Sequence, residues 1–253
     1  IGAVEFLGAG DRNGNEIAGE SIASGRWTAA KMARIRDSRV TGTRKVAESL
    51  AALQHKPTVL VCASAIGYYG DRGDEQLHET AAGGNGFLAD LCRDWEEATG
   101  PAVGAGIRVV NLRIGVVISR DGGALPQVLT PFKLGLGGRV GSGDQYWSWV
   151  SIADVVGAIQ HSIDTPSLCG PVNCVSPNPV TNAEFTKTLG QVLNRPTVFP
   201  LPAFAARLVL GKMANDLLLA SARVLPNRLI ETNYKFHYSD LVDALRHEIV
   251  SPR

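Results

Sequence analysis

Three hydroxyl-bearing side chains that could take part in catalysis follow directly after a predicted buried strand. The run Val59-Leu-Val-Cys-Ala63 is apolar and passes into small residues before Gly70. Such a run is typical of a strand in a parallel sheet, and ligands of these sheets collect outside the carboxyl ends of the strands. A serine there could hydrogen-bond a substrate carbonyl, and a tyrosine could pass a proton. We therefore predict Ser64, Tyr68 and Tyr69 as catalytic residues. The alternatives are a backbone cap for Ser64 and core packing for one of the tyrosines.

Small residues also end other predicted strands, which favours the binding of a flat ligand. These ends are Ala18-Gly19, Arg113 to Val116, and Asn173 to Ser176. A nicotinamide dinucleotide can lie against a backbone that carries no bulky side chains, although ordinary tight turns have a similar composition. Arg113 either meets an anionic group of the ligand or pairs with Asp154. The predicted cofactor-binding residues are Ala18, Gly19, Ala63, Ser64, Arg113, Gly115 and Val116.

An aromatic-rich segment supplies candidate substrate contacts, namely Gln145, Trp147 and Trp149. Exposed aromatic side chains suit stacking on a ring of the substrate. For Trp149 the alternative is that its side chain only seals two parts of the molecule together.

Predicted strands and helices alternate along the chain. Strands are predicted at 59–63, 107–113 and 171–175. Helices are predicted at 28–53, 86–98, 125–134, 181–193, 203–210, 213–224 and 239–249, and a further helix follows Asp154 and ends at Ile163. Thr28 is the expected N-cap of the first helix, and Thr181 with Glu184 forms a capping box. This alternation predicts an α/β fold with a doubly wound parallel sheet and a small C-terminal α-rich part.

Composition narrows the class of protein. The chain has 253 residues, 45% of them hydrophobic, and a net charge of +1, so electrostatic binding to nucleic acid or to a membrane surface is not expected. The cysteines Cys62, Cys92, Cys169 and Cys174 form no Cys-x-x-Cys pair, which favours buried free thiols in a reducing, cytoplasmic compartment over a metal site or a disulfide. The oligomeric state stays open.

The order of several motifs resembles the extended short-chain dehydrogenases/reductases. Within that superfamily the chain is similar to an atypical group, nucleoside-diphosphate-sugar epimerase-like, with a helical C-terminal extension. The motifs are Ile17-Ala-Gly-Glu20, Arg39-Val-Thr-Gly-Thr43, Ser64-Ala-Ile-Gly-Tyr-Tyr-Gly70, Asn111-Leu-Arg-Ile-Gly-Val-Val117, Gly141-Ser-Gly-Asp-Gln-Tyr-Trp-Ser-Trp149, Ile152-Ala-Asp154 and Pro171-Val-Asn-Cys-Val-Ser-Pro177.

The resemblance covers about residues 15 to 250. It implies a Rossmann-type domain over residues 1–170 that binds NADP or NAD, with NADP expected. It also implies a smaller C-terminal part over residues 171–253, beginning with the last sheet strand near 171–175 and lining a cleft for a small-molecule substrate.

Two departures from the family pattern bear on function. The glycine-rich fingerprint is expected well before Ala18, so we expect the N-terminal βαβ part to be incomplete in this sequence. Members that transfer hydride carry Tyr-x-x-x-Lys on the helix after the serine loop, but alignment on Glu96 puts Leu88 and Cys92 at those positions. Ala65 stands where the catalytic serine or threonine is usual.

Two functions remain open at this point. One is an NAD(P)-dependent epimerase or reductase that uses a non-standard proton donor. The alternative is a catalytically inactive NADP-binding module with a regulatory or partner-binding role.

Overall fold

A computed structural model describes residues 3–5, 19–23 and 25–250 of the chain. Its central strands are β1 (Ala3–Glu5), β2 (Val59–Ala65), β4 (Arg108–Ile114) and β8 (Gly170–Cys174). They form one parallel sheet in the order β1-β2-β4-β8. β2 and β4 are almost entirely buried, as expected for inner strands covered on both faces. The three strands predicted from the sequence are therefore confirmed.

Short strand pairs tie the loops together beyond this sheet. β3 (Gln76–Leu77) pairs in parallel with β10 (Arg223–Val224), and β5 (Val116–Ile118) pairs in parallel with β7 (Trp149–Ser151). β6 (Tyr146–Trp147) pairs antiparallel with β9 (Val180–Thr181).

Helices cover the sheet and build the C-terminal part. They are α1 (Ala29–Ala51), α2 (Phe87–Glu97), α3 (Gly100–Gly104), α4 (Leu125–Lys133), α5 (Ile152–Asp164), α6 (Asn182–Leu193), α7 (Ala203–Leu210), α8 (Lys212–Ala214), α9 (Asn227–Glu231) and α10 (Leu241–Val250). The Thr28 hydroxyl accepts a hydrogen bond from the Lys31 amide, and Thr181 and Glu184 form the capping box. Both predicted caps are confirmed, because side-chain oxygens near a helix start satisfy otherwise unpaired amides.

The core lies on both faces of the sheet. On one face Val61, Val110 and Val172 pack against Val155 and Ala158 of α5. On the other face the core consists of residues from α1, α3 and the neighbouring strands, namely Ala47, Leu60, Ala102, Ile107 and Val109. Helices on both faces of a parallel sheet make this a doubly wound Rossmann-type fold, as predicted.

The predicted helix over 213–224 is confirmed only in its first part. α8 and the π-helical turn at Asn215–Leu219 are helical, and the chain then becomes extended and enters β10. There the Ala222 amide donates to the Tyr146 carbonyl (3.3 Å), and the Ser221 carbonyl accepts from the Arg72 amide (2.8 Å). Pairing with segments distant in sequence has outweighed the local helical preference of this Leu- and Ala-rich stretch.

The predicted division at residues 170 and 171 falls at the start of β8, inside the central sheet, and it remains a prediction. In the described ranges no helix combines the length and apolarity needed to cross a bilayer.

Candidate functional site

The carboxyl ends of three sheet strands bring three polar residues into one row. In the strand registers Ser64 lies beside Arg113, and Arg113 lies beside Asn173. All three are buried, with exposed fractions of 2%, 3% and 0%. Buried polar groups require hydrogen-bond partners, and a carboxylate from α2 supplies the first of them.

Glu96 on α2 is that carboxylate. Arg113 donates to it in a bidentate arrangement, from Nε to Oε1 (2.8 Å) and from Nη2 to Oε2 (2.9 Å). The Ser64 hydroxyl also donates to Oε1 (2.7 Å). Fork-shaped pairing of this kind is among the stronger hydrogen-bonded ion pairs, so Ser64, Glu96 and Arg113 form one unit.

The alternative pairing of Arg113 with Asp154 is wrong. Asp154 lies in the first turn of α5, where its carboxylate accepts from the Ser151 hydroxyl (2.6 Å) and the His237 amide (2.7 Å). Ser151 is the N-cap of this helix. Asp154 therefore stabilises the start of α5 and its contact with the C-terminal segment.

The two tyrosines of the loop after β2 differ in environment. Tyr69 is fully buried; its hydroxyl accepts from Arg113 Nη1 (3.0 Å) and donates to Asn173 Oδ1 (2.7 Å). Tyr68 is half-buried, and its ring centre lies 3.4 Å from Arg113 Cζ, a close cation–π contact. No described residue hydrogen-bonds the Tyr68 hydroxyl. Tyr69 is thus the core-packed tyrosine, and Tyr68 has an unused hydroxyl.

Burial controls the protonation of this cluster. It raises the pKa of Tyr69, although the charge of Arg113 opposes the shift. Burial disfavours the charged form of Arg113, but the hydrogen bonds and charge of Glu96 outweigh it and raise the pKa of Arg113 further. Burial, reinforced by the charge of Glu96, raises the pKa of the Cys92 thiol to about 12. At neutral pH Tyr69 and Cys92 therefore keep their protons, and Cys92 is not an activated nucleophile.

The small residues predicted to bind a cofactor have several different surroundings. A Cβ on Gly115 would lie 2.5 Å from the Ser148 carbonyl oxygen, so packing within the chain already requires glycine there. The next amide, Val116 N, donates to that same carbonyl (2.9 Å). Ala63 is buried inside β2, and Gly19 adopts a φ of 134° that favours glycine. Ala18 lies outside the described residues.

The three residues predicted to contact the substrate also lie in different environments. Trp149 is fully buried in the core, and its Nε1 donates to the Asn178 carbonyl (3.0 Å). Gln145 Nε2 donates hydrogen bonds to the backbone carbonyls of Val140 and Leu218 (3.0 Å each). Trp147 is half-buried against Phe185, with ring centres 5.2 Å apart, and its buried Nε1 has no hydrogen-bond partner. Only Trp147 of this set therefore holds an unused donor.

The sequence did not indicate two of the residues in this network. Glu96 was used only to align the helix, and its partnership with Arg113 depends on the packing of α2 against the sheet. Glu79 is buried, and its Oε1 accepts from the Asn173 amide (3.1 Å) and the Arg228 amide (3.2 Å). No local motif marks Glu79, because its partners lie 94 and 149 residues away. Across the described ranges no group of three His, Cys, Asp or Glu side chains is arranged to hold a metal ion.

Known proteins share this architecture. A family model described as a domain of unknown function, DUF1731, matches residues 201–248. The Epimerase family protein Mb2239 of Mycobacterium bovis is 44% identical over 93% of this chain and 78% of that protein. The crystal structure of human epimerase family protein SDR39U1 (isoform 2) with NADPH has a TM-score of 0.88 and 32% identity, covering 98% of this chain and 81% of the human one. A nucleoside-diphosphate sugar epimerase from Corynebacterium glutamicum has a TM-score of 0.72 and 38% identity, over 89% of this chain and 44% of the other.

The parallel-sheet fold, the site at the strand ends and the structural matches agree with one another. Together they define this chain as an atypical Rossmann-type short-chain dehydrogenase/reductase. At 44% identity over most of both sequences, the chain belongs to the epimerase family that includes the mycobacterial protein and human SDR39U1.

Proposed function

We propose that this chain binds a nicotinamide dinucleotide, with NADP preferred over NAD, at the carboxyl edge of β2 and β4. The support is the NADPH-bound structure of the human relative, which is 32% identical. The nicotinamide end of such a ligand fits the edge residues, since 65–68 and 114–117 are half-exposed and mostly small or apolar. Ala18, also predicted to bind the cofactor, lies outside the described ranges.

The bound dinucleotide would supply a hydride donor or acceptor, and the chain's own residues would manage the proton. We assign the proton-donor role to Tyr68. It lies on the loop after β2, its hydroxyl has no partner among the described residues, and its ring stacks on Arg113 at 3.4 Å. Glu96 fixes Arg113 with two hydrogen bonds, and Arg113 in turn fixes the Tyr68 ring. Tyr68 would thus substitute for the tyrosine of the missing Tyr-x-x-x-Lys pair in an epimerase or reductase reaction.

Trp147 is the proposed substrate contact. Its indole Nε1 is buried without a partner, and a buried donor left unpaired costs free energy that a ligand acceptor would recover. The substrate itself remains to be identified.

A second function, NADP binding without turnover, has a specific observation in its favour. Ser64 and Tyr69 are fully engaged inside the Glu96–Arg113 network. Neither can therefore give a proton to a ligand without breaking a buried hydrogen bond.

Titration and turnover assays separate these proposals. NADPH and NADH would be titrated into the full chain while nicotinamide fluorescence is followed, and oxidation of NADPH would then be tested with aldehydes, quinones and sugar nucleotides. Binding without turnover supports the inactive module, and absence of binding by either cofactor contradicts both functions.

A Tyr68→Phe variant tests the proposed proton donor. If a substrate turns over, we expect kcat to fall by about 100-fold, the usual contribution of a positioned proton donor, with unchanged NADPH affinity. Tyr238→Phe is the control, because no described residue hydrogen-bonds that hydroxyl and its ring stacks on His247. Equal kcat in wild type and Tyr68→Phe would remove Tyr68 from the mechanism.

A further inference from the structure

A cavity of about 260 Å³, open to solvent, lies beside α6. It is lined by Ala183, Thr186 and Lys187 from the first half of α6, by Arg139, and by Thr197, Val198 and Pro200. None of the residues predicted to bind cofactor or substrate lines it. Its size is just below that of pockets for drug-sized ligands, which points to a small metabolite.

Backbone hydrogen bonds hold the walls of the cavity in place. The Leu201 amide donates to the Arg139 carbonyl (2.8 Å), and the Ala183 amide donates to the Gly143 carbonyl (2.9 Å). Asn182 Oδ1 accepts from the Val140 amide (2.7 Å). α6 and the segments that face it are thus fixed relative to one another without a ligand.

The charges at the cavity are positive only. Arg139 and Lys187 line it, and no carboxylate side chain does. Both residues are exposed, and neither cation makes a hydrogen bond or an ion pair with a described residue, so both are available to an anionic ligand.

A hydroxyl donor also lies at the cavity. Thr186 is 5% exposed and lines the cavity, where its hydroxyl remains accessible and has no hydrogen-bond partner among the described residues. Thr197 supplies a second hydroxyl without a described partner. A Cβ built on Gly190 would lie 2.4 Å from the Thr197 Cγ2 methyl, so this methyl packs closely on α6.

We propose that this cavity, lined by Arg139, Thr186, Lys187 and Thr197, binds the phosphate group of a small phosphorylated molecule. Two cations and two hydroxyl donors match the several acceptor oxygens and the negative charge of a phosphate monoester. The remaining volume accommodates the rest of the ligand. No residue at the carboxyl edge of β2 and β4 lines the cavity, so we expect its occupancy not to depend on dinucleotide binding.

Calorimetry on the full chain tests this site. Inorganic phosphate, glucose 6-phosphate and glucose would each be titrated at fixed ionic strength in a phosphate-free buffer. We expect glucose 6-phosphate to bind with a Kd below about 1 mM, more tightly than inorganic phosphate, and glucose to give no signal. Equal affinity for the two phosphates, or no binding of either, overturns the proposal.

Matched variants locate the binding. Arg139→Gln and Lys187→Gln should each weaken glucose 6-phosphate binding about tenfold, as expected for a lost charged hydrogen bond. Thr186→Val, which keeps the side-chain volume, should weaken it about fivefold. Lys235→Gln removes an exposed charge elsewhere and should change nothing. Unchanged affinity in both charge variants contradicts the site, and NADPH affinity, measured alongside, should be the same in all four variants.

Discussion

Arg113 carries its charge in a nearly closed environment, 3% exposed at the end of β4. The residues that compensate for this charge come from two places in the chain: Glu96 on α2, and the adjacent Tyr68 and Tyr69 after β2. A buried charge is tolerated when its partners satisfy it geometrically. The cluster therefore mainly links α2 to the sheet. The half-buried Tyr68 ring packs against the Arg113 of this cluster.

Loss of the Glu96 carboxylate should destabilise the protein strongly. Glu96→Gln leaves the Arg113 charge buried without its counter-charge, and we expect the free energy of unfolding to fall by about 3 kcal/mol or more. Urea denaturation followed by circular dichroism measures the change. Glu75→Gln is the control, because the side chains of the Arg72–Glu75 pair are more exposed, at 26% and 52%, and the pair should contribute less than about 1 kcal/mol. Similar small losses of unfolding free energy in both variants would mean that the Glu96–Arg113 pair does not stabilise the contact between α2 and the sheet.

The two tyrosines should respond differently to loss of the hydroxyl. Tyr69→Phe removes a donor to Asn173 and an acceptor for Arg113, so we expect a loss of about 1–3 kcal/mol in unfolding free energy. Tyr68→Phe removes no described hydrogen bond and should stay within about 0.5 kcal/mol of wild type. Thermal and urea unfolding of both variants provide the comparison. A larger loss for Tyr68→Phe than for Tyr69→Phe would reverse the assignment of the buried hydroxyl.

Among the elements, α6 is the best specified by its own sequence. Thr181 accepts from the Glu184 amide, and the Glu184 carboxylate accepts from the Thr181 amide (2.7 Å), which completes the capping box. Helix α6 also packs Phe185 and Leu189 into the core shared with Trp149 and α10. Local and tertiary preferences agree here, which is why the sequence pattern located this helix.

Removal of the cap should cost α6 a measurable part of its stability. Thr181→Ala deprives the Glu184 amide of its acceptor, and we expect the free energy of unfolding to fall by about 1 kcal/mol. Thr41→Ala is the control: Thr41 is exposed inside α1, where alanine has the higher helix propensity. Urea denaturation of both variants measures the free energy of unfolding. An equal loss of this free energy in the two variants would argue against a capping role for Thr181.

At the scale of the whole molecule, the buried thiols link stability to pH. Burial raises the pKa of both Cys92 and Cys174 to about 12, whereas thiols in an unfolded chain ionise near about 8.5. Between these values the folded state holds protons that the unfolded state has released. The free energy of unfolding must therefore decrease as pH rises through this window.

We expect a loss of about 1.4 kcal/mol per thiol at pH 9.5 relative to neutral pH. Urea denaturation under reducing conditions at pH 7.5, 8.5 and 9.5 measures the slope. Cys92→Ala should remove about half of it, while Cys169→Ser, at an exposed position, should leave it unchanged. A pH slope that is the same in Cys92→Ala as in wild type would contradict this linkage.

Local signals in the sequence were sufficient for the elements whose preferences their tertiary contacts reinforce. The apolar run at Val59, the Thr28 cap and the capping box at Thr181 each predicted an element that the structure contains. Their alternation predicted the doubly wound fold, since parallel strands joined by helices leave few other arrangements.

Only the tertiary structure decided which residues meet. The helix predicted over 213–224 ends at Leu219, because the chain becomes extended where the Arg72 and Tyr146 backbones pair with Ser221 and Ala222. Glu96 rather than Asp154 faces Arg113, Trp149 is sealed in the core, and Tyr68 keeps a free hydroxyl while Tyr69 does not. Side-chain partners are chosen by the packing of α2 and the C-terminal segment across the sheet, over separations that no local pattern encodes. The sequence by itself therefore determined the strands, most helices and their order, and three-dimensional packing determined the site.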